Sequence, residues 1–142
     1  MLSNSNGSGG SIKARNGQNI IIENNTFETS GILLYVYETS KIQQQLKNVV
    51  IKDNKIDIIG GDLTASIYNG IGYWTDTDYR NEFSIRIEGN TINNGYCIAK
   101  TSRINVDGFN ANGGGFYNNT CLEIHIISDI NHAGNTAKIV EY

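Results

Sequence analysis

The stretch FSIRIEGNTINNG, residues 83–95, determines how the rest of the chain is interpreted. Ile85 and Ile87 alternate with polar or charged residues, which is the period-two pattern of a β-strand with one buried face. A turn follows at Gly89 and Asn90, and Ile92 then brings an apolar residue back to the interior. The stretch therefore predicts a short strand, an Asn-containing turn and a second apolar contact.

The same pattern occurs twice upstream, so the chain contains an internal repeat. The upstream copies are NIIIENNTF (residues 19–27) and NVVIKDNKI (residues 48–56). When Asn25, Asn54 and Asn90 are superposed, at spacings of 29 and 36 residues, three apolar columns align. These columns are Ile20, Val49 and Ile85, then Ile22, Ile51 and Ile87, then Phe27, Ile56 and Ile92.

A unit of this kind cannot bury its own apolar face, so it must stack on copies of itself. Stacked strands form parallel ladders in which like residues lie over like residues. Asn suits the turn because it tolerates left-handed backbone and because its amide can bond to the Asn above and below. The repeat therefore predicts an all-β parallel solenoid with Asn-rich turns, and the length accommodates about five coils.

The pattern apolar-x-apolar-x-x-Asn-x-apolar resembles the right-handed parallel β-helix family of pectate lyases, polygalacturonases and phage tailspikes. The resemblance implies a polysaccharide partner, with binding or cleavage as the activity, and a location outside the cell or on the virion surface. It also implies a homo-oligomer, with a trimer favoured by the likeness to tailspikes. The Ca²⁺-binding aspartates and catalytic Arg of pectate lyases and the aspartate motifs of polygalacturonases have no match here, so no active site is carried over.

Composition and charge narrow the class of protein. The 142 residues include 16 Gly and no Pro, and the net charge is −3, which disfavours a nucleic-acid partner. No apolar run is long enough to span a membrane. Residues 1–11 are rich in Ser, Asn and Gly and are expected to form a flexible lead-in. Residues 12–142 are expected to form the β-helix domain, as part of a larger protein or assembly.

Each predicted coil has a second strand after its turn. In the first three coils these strands are expected at 32–37, 65–68 and 96–99. In the fourth coil, Ile104 and Val106 fit the inward columns, but Phe109 falls where Asn is expected. One extra residue in the turn would make Asn110 the turn residue and would match Gly115 and Phe116 with Gly95 and Tyr96, and this is the preferred assignment. In the fifth, Asn135 is the turn residue, with His132 and Ala137 at positions that are apolar elsewhere.

The loop predicted at residues 69–81 is the best candidate for a functional site. Tyr73, Trp74 and Tyr79 are candidate ligand-binding residues, because flat aromatic faces stack on the C–H surfaces of sugars. Asp76, Asp78 and Arg80 are candidate catalytic residues, since a carboxylate pair can supply the acid and base of glycoside hydrolysis and Arg can bind acidic substituents. Asp76 and Asp78 could instead bind Ca²⁺, and no other cofactor or metal site is predicted. Alternatively, the aromatic residues cover the sheet or a neighbouring subunit.

Other residues give weaker indications. Five tyrosines are expected on or near second strands, where they could form a sugar-binding ribbon or a subunit interface: Tyr35, Tyr37, Tyr68, Tyr96 and Tyr117. Glu23, Lys52 and Glu88 are expected in one outward column. Cys97 and Cys121 are expected to be buried free thiols and not a disulfide. His125 and His132 belong to no recognisable motif.

Three functional hypotheses follow. In the first, the chain is a polysaccharide-recognising segment of a tailspike-like or polysaccharide-processing protein, with residues 69–81 as the contact region. In the second, the chain is a structural, self-associating solenoid with no small ligand. In the third, which has the least support, this chain alone has polysaccharide lyase or glycoside hydrolase activity.

Overall fold

The computed structural model describes residues 2–3, 12–14, 17–28, 32–36, 46–57, 70–75, 82–100 and 103–142. In these residues the chain is mostly β-strand, with parallel pairing throughout and one short α-helix. The strands are β1 (Leu2–Ser3), β2 (Ile12–Ala14), β3 (Gly17–Glu23), β4 (Thr26–Glu28), β5 (Ile32–Val36), β6 (Leu46–Lys52), β7 (Lys55–Asp57), β8 (Gly70–Thr75), β9 (Glu82–Glu88), β10 (Thr91–Asn93), β11 (Tyr96–Lys100), β12 (Gly115–Tyr117), β13 (Thr120–Ile126), β14 (His132–Ala133) and β15 (Thr136–Glu141). Helix α1 (Val106–Asn110) lies between 3-10 turns at Arg103–Asn105 and Ala111–Gly113.

The strands form two parallel sheets. The five-stranded front sheet has the order β14-β12-β9-β6-β3. The ten-stranded back sheet is strongly curled and has two arms, a short arm of β1, β4, β7 and β10 and a long arm of β11, β8, β5 and β2. Strand β13 joins the arms, because Thr120 pairs with Thr91 of the short arm whereas Glu123 pairs with Tyr96 of the long arm. Strand β15 pairs with β13 at the end of this sheet.

The core contains the apolar columns predicted from the repeat. Pairing of β3 with β6 and of β6 with β9 places two of the predicted columns in register, and pairing of β4 with β7 and of β7 with β10 does the same for Phe27, Ile56 and Ile92. The central members are fully buried: Val49, Ile51, Ile56, Ile85 and Ile87. At the first edge of the front sheet, Ile20 is half-buried and Ile22 is 7% exposed. The three predicted apolar columns are thus confirmed. Their side chains are buried because equivalent apolar residues of successive units stack on one another.

Five stacked asparagines form a hydrogen-bonded ladder at the turn after each front-sheet strand. They are Asn25, Asn54, Asn90, Asn119 and Asn135. Each of the first four donates its backbone N–H and its Nδ2–H to Oδ1 of the next, at 2.9–3.1 Å. The later four also donate from Nδ2 to a front-sheet carbonyl of the preceding unit, as Asn90 does to Ile51 at 3.0 Å. These bonds satisfy buried amides that would otherwise cost stability.

Two columns of left-handed backbone accompany the ladder. The residue before each ladder Asn has a φ between 54° and 69°; these residues are Asn24, Asp53, Gly89, Asn118 and Gly134. The residue six positions before each ladder Asn also has positive φ; these residues are Asn19, Asn48, Ser84, Gly113 and Asp129. Gly, Asn and Asp are the residues that adopt this conformation at least cost. The repeat is therefore encoded in backbone conformation as well as in apolar spacing.

The predicted assignment of the fourth unit is wrong. Asn119, and not Asn110, is the fourth ladder residue, and Phe116 pairs in register with Ile87 and not with a second-strand residue. Residues 103–110 are helical, and Asn110 ties this helical segment to the last turn by donating to the Asp129 carbonyl at 2.6 Å. Asn135, the predicted turn residue that comes after Asn119, is the last residue of the Asn ladder.

The strands of the long arm match two of the three second strands predicted. Strands β5 and β11 lie where strands were expected at 32–37 and 96–99. The strand that pairs between them is Gly70–Thr75, whereas residues 65–68 lie outside the described residues. Within the predicted lead-in, Leu2–Ser3 pairs with Phe27 and Glu28.

Candidate functional site

The long arm carries the two predicted aromatic ligand-binding residues that the structure describes. Tyr73 and Trp74 lie in β8, so this part of the predicted loop is a strand. In register, Tyr73 pairs with Ala99 of β11, and Trp74 pairs with Lys100 of β11 and Tyr35 of β5. The parallel register thus brings Trp74 into line with a tyrosine on one side and a lysine on the other.

The remaining predicted site residues, Asp76, Asp78, Tyr79 and Arg80, lie outside the described residues. Of the five predicted second-strand tyrosines, Tyr37 and Tyr68 lie outside them as well. Within the described ranges, no group of three or more His, Cys, Asp or Glu residues is arranged to hold a metal ion. The predicted Ca²⁺ pair, Asp76 and Asp78, is outside that search.

A cluster of polar and aromatic side chains lies at the end of the long arm. We call Tyr96, Glu123, His125 and Lys138 the Tyr96 cluster. The rings of Tyr96 and His125 meet edge to face, with centroids 5.8 Å apart. Nε2 of His125 is 2.6 Å from Oε2 of Glu123, and Nζ of Lys138 is 3.9 Å from Oε1 of the same carboxylate. One carboxylate therefore fixes the imidazole on the strand surface and also lies close to a flexible cation.

Strand alternation places the Tyr96 cluster on the outer face. On β11, Cys97 and Ala99 are buried, and on β13, Ile124 and Ile126 are buried. The alternating residues Tyr96, Glu123 and His125 are half-exposed. Their positions follow from the period of two along each strand.

Glycines border the cluster on the side of β8. Gly70 pairs in register with Tyr96, and Gly72 pairs with Ile98. A Cβ at Gly70 would collide with the Tyr96 carbonyl, and the φ of Gly70, +152°, is one that glycine adopts more readily than other residues. Both glycines are themselves buried.

A second polar cluster lies on the front sheet, and its polar groups bond to one another or to neighbouring backbone carbonyls. Arg86 donates from Nε to Glu88 at 2.7 Å and from Nη1 to the Gly113 carbonyl at 2.6 Å, and its guanidinium lies 4.5 Å from the centre of the Tyr117 ring. Tyr117 donates its hydroxyl to the Gly114 carbonyl at 2.9 Å. Tyr117 is therefore a front-sheet residue, and its predicted place near a second strand is wrong.

The predicted charge column is confirmed in register. Glu23 pairs with Lys52, and Lys52 pairs with Glu88. Glu88 forms its ion pair with Arg86 of its own strand, at 2.6 Å. Glu88 of the column therefore has its ion-pair partner along its own strand.

The two cysteines lie in different columns, Cys97 on β11 and Cys121 on β13. Both are free thiols; Cys97 is fully buried and Cys121 is half-buried. A hydrogen bond with Cys121, together with burial, raises the pKa of the Cys97 thiol well above its ordinary value. The same hydrogen bond lowers the pKa of Cys121.

Sequence reasoning also missed the interaction of His125. The signal was the spacing of two between Glu123 and His125, which puts both side chains on one face of a strand. His132 lies exposed on β14, in register with Phe116.

Comparison of the chain with protein-family models, with curated proteins and with solved structures found no match in any of the three. No helix in the described part of the chain is long and apolar enough to cross a membrane.

Proposed function

We propose that the chain is a right-handed parallel β-helix of about five coils that recognises a polysaccharide along its long arm. The proposal rests on one observation: on the outer face of this arm, the Tyr96 cluster lies beside β8, the strand that contains Trp74. The buried Asn ladder and the all-parallel pairing support the β-helix part of the proposal.

The chemistry of this face suits sugars. Aromatic rings pack against the C–H surfaces of pyranose rings, while carboxylate, imidazole and ammonium groups hydrogen-bond to hydroxyl or acidic substituents. Parallel strands repeat at about 4.8 Å, so a linear polymer lying across the strands would meet a new set of side chains at each step. A rigid ladder also loses little conformational entropy on binding.

The proposed setting is a tailspike-like or polysaccharide-processing protein outside the cell or on a virion, assembled as a homotrimer. Binding is the primary activity proposed for this chain. Cleavage of the polysaccharide, with Asp76, Asp78 and Arg80 as the catalytic residues, is a separate step. Release of reducing ends or of unsaturated sugars from acidic polysaccharides would reveal it.

Binding can be tested on a glycan array with the full chain, Trp74→Ala and Tyr96→Ala. We expect each variant to lower the affinity for the glycans bound by the parent at least about tenfold, through lost ring contact. Ile21→Ala is the matched control, because Ile21 is 65% exposed on the front sheet and its loss should leave binding unchanged. Absence of any glycan signal, or an unchanged signal in both long-arm variants, would refute the proposal.

One observation favours a structural, self-associating solenoid as the second candidate. In the described residues, no strand pairs with the outer edge of β14 or β15, and the core residues Ala137 and Ile139 remain half-exposed there. An open edge of this kind can accept another chain. Light scattering of the purified chain would show a concentration-dependent oligomer, and a flat glycan array with the same sample would select this candidate over the first.

A further inference from the structure

The two ends of the back sheet carry members of the same inward columns. In the long arm, one column begins at Ile12 of β2, passes through β5, β8, β11 and β13, and ends at Ile139 of β15. In the short arm, the column that contains Phe27 begins at Leu2 of β1 and ends at Ala137 of β15. Each end of the sheet therefore presents residues that belong to the same columns as those of the opposite end.

The column residues at the ends are less buried than those in the middle. In the long-arm column, Ile71, Cys97 and Ile124 are fully buried, whereas Ile12 and Ile139 pack against the core but are only partly buried. Within the stack, each level covers the apolar residues of the next. One more level at either end would bury these side chains in the same way.

The end strands also have backbone groups available for pairing. In the part of the chain that the structure describes, β15 pairs only with β13, β1 only with β4, and β2 only with β5. The outer edges of β15, β1 and β2 thus have no strand partner among these residues. A strand edge of this kind can pair with a strand of another chain.

We infer that the outer edge of β15 binds the outer edges of β1 and β2 of a second copy of this chain. In this head-to-tail contact, Ile139 of one copy comes into register with Ile12 of the next, and Ala137 comes into register with Leu2. The pairing is parallel, as it is for these strands within one chain. The inference develops the open edge of the second candidate function and does not depend on polysaccharide binding.

The contact is made by the back sheet and is not symmetric. The front sheet ends at β3, whereas the arms of the back sheet extend one strand further, to β1 and β2. These two strands prevent β14 of the preceding copy from pairing directly with β3. A two-fold contact between two β15 edges would need antiparallel strands and would not continue the columns. A head-to-tail contact leaves one edge free at each end, so further copies can add to form a filament.

One residue at the β15 edge opposes the contact. Glu141 lies in the column of Ala99 and Ile126, which are fully buried, yet Glu141 itself is exposed. In the head-to-tail contact it would come into register with Ala14 of the next copy, and its carboxylate would lose part of its hydration. Inward-pointing charges at a sheet edge limit edge-to-edge association. We therefore expect a reversible contact whose strength Glu141 limits.

Sedimentation velocity of the purified full chain, over a wide range of concentrations and without glycan, measures the association. We expect a concentration-dependent series of dimers and longer species. A chain that stays monomeric at every concentration, or that forms only one closed oligomer, would overturn the inference. Because no glycan is present, this result is independent of the glycan array, and either proposal can fail while the other stands.

Two edge variants test the head-to-tail arrangement. Ile139→Lys blocks the β15 edge and Ile12→Lys blocks the β2 edge, so each should raise the concentration at which half of the chains associate at least about tenfold. Each variant keeps one intact edge, so an equimolar mixture should form heterodimers and nothing longer. If Ile12→Lys alone still dimerises through its intact β15 edge, or if the mixture of the folded variants stays monomeric, the inference is wrong.

Glu141→Gln tests the same edge without a change in the core. It should lower the concentration at which half of the chains associate about threefold, because no carboxylate then loses hydration in the contact. Asp107→Asn is the matched control, since it makes the same change in net charge at an exposed position of α1 and should leave association unchanged. Equal effects of the two variants would show that net charge governs the association, and would overturn the assignment of the β15 edge.

Discussion

Asn90 donates its Nδ2–H to Oδ1 of Asn119 at 3.0 Å while its own side chain is completely buried. Its Oδ1 accepts both the backbone N–H and the Nδ2–H of Asn54, and its second Nδ2 hydrogen reaches the Ile51 carbonyl. One side chain therefore satisfies polar groups on the level below and on the level above. This connection between levels explains why Asn, and not merely a turn former, recurs at the ladder position.

Asn90→Ala should be among the most destabilising single changes at a turn. It would leave the Asn54 amide groups and the Ile51 carbonyl buried without their partners, and we expect a loss of about 3 kcal/mol in the free energy of unfolding. Asn25→Ala, at the half-exposed first rung, should cost about 1 kcal/mol, because water can replace the lost bonds. Urea denaturation of both variants measures the difference, and equal losses would contradict the role of burial.

The sequence alone predicts much of this fold because stacking makes the core repetitive. Ile51 and Ile87 lie in register and are fully buried, as their alignment on Asn54 and Asn90 predicts. Like residues stack in a parallel ladder, so the spacing between units need not be constant. The Asn-containing turn alone keeps the equivalent residues of successive units aligned.

The fourth unit was missed because its columns are not aliphatic. Gly114, Phe116 and Cys121 occupy the positions that Ile85, Ile87 and Ile92 occupy in the preceding unit. Ile104 and Val106 have the alternating apolar spacing of a strand but lie in the helical segment. The available signal was Asn118-Asn119-Thr120, which repeats Asn24-Asn25-Thr26 and lies 29 residues after Asn90. The Tyr96 cluster was harder to predict from the sequence. Its residues, such as Tyr96 and Glu123, lie on different strands and become neighbours only through the register between those strands.

The left-handed column can be tested at Asn118, an exposed residue with a φ of 54°. Asn118→Gly should leave stability unchanged or raise it slightly, because glycine adopts this conformation freely. Asn118→Ala should cost about 1 kcal/mol, since its Cβ disfavours the left-handed region without the local bonding of Asn. Thermal melts of the two variants provide the comparison, and a less stable Gly variant than Ala variant would show that the side chain, and not the backbone, matters here.

Phe109→Ala tests whether the helical segment belongs to the core. Phe109 is fully buried, and its ring stacks on that of Phe116 with centroids 6.0 Å apart. We expect a loss of about 4 kcal/mol in the free energy of unfolding, from the transfer of the ring and the cavity left behind. Asp107→Ala on the exposed side of the same helix is the control and should change stability by less than about 0.5 kcal/mol. A small effect of Phe109→Ala in chemical denaturation would mean that the helix docks loosely.

The ion pair between Arg86 and Glu88 should contribute modestly, because both side chains are partly exposed. Their exposed fractions are 35% and 24%, so solvent screens the attraction even though Nη2 lies 2.6 Å from Oε2. A double-mutant cycle of Arg86→Gln and Glu88→Gln should give a coupling energy of about 1 kcal/mol that shrinks as salt is raised.

Arg86→Gln alone should cost more than Glu88→Gln alone. Arg86 also donates to the Gly113 carbonyl and stacks on Tyr117, and both contacts are lost with the guanidinium. Through them Arg86 connects its strand to the turn that follows the helix and to the next strand of the front sheet. If the two single variants lose equal stability in urea, the Arg86 side chain acts only as the charge partner of Glu88.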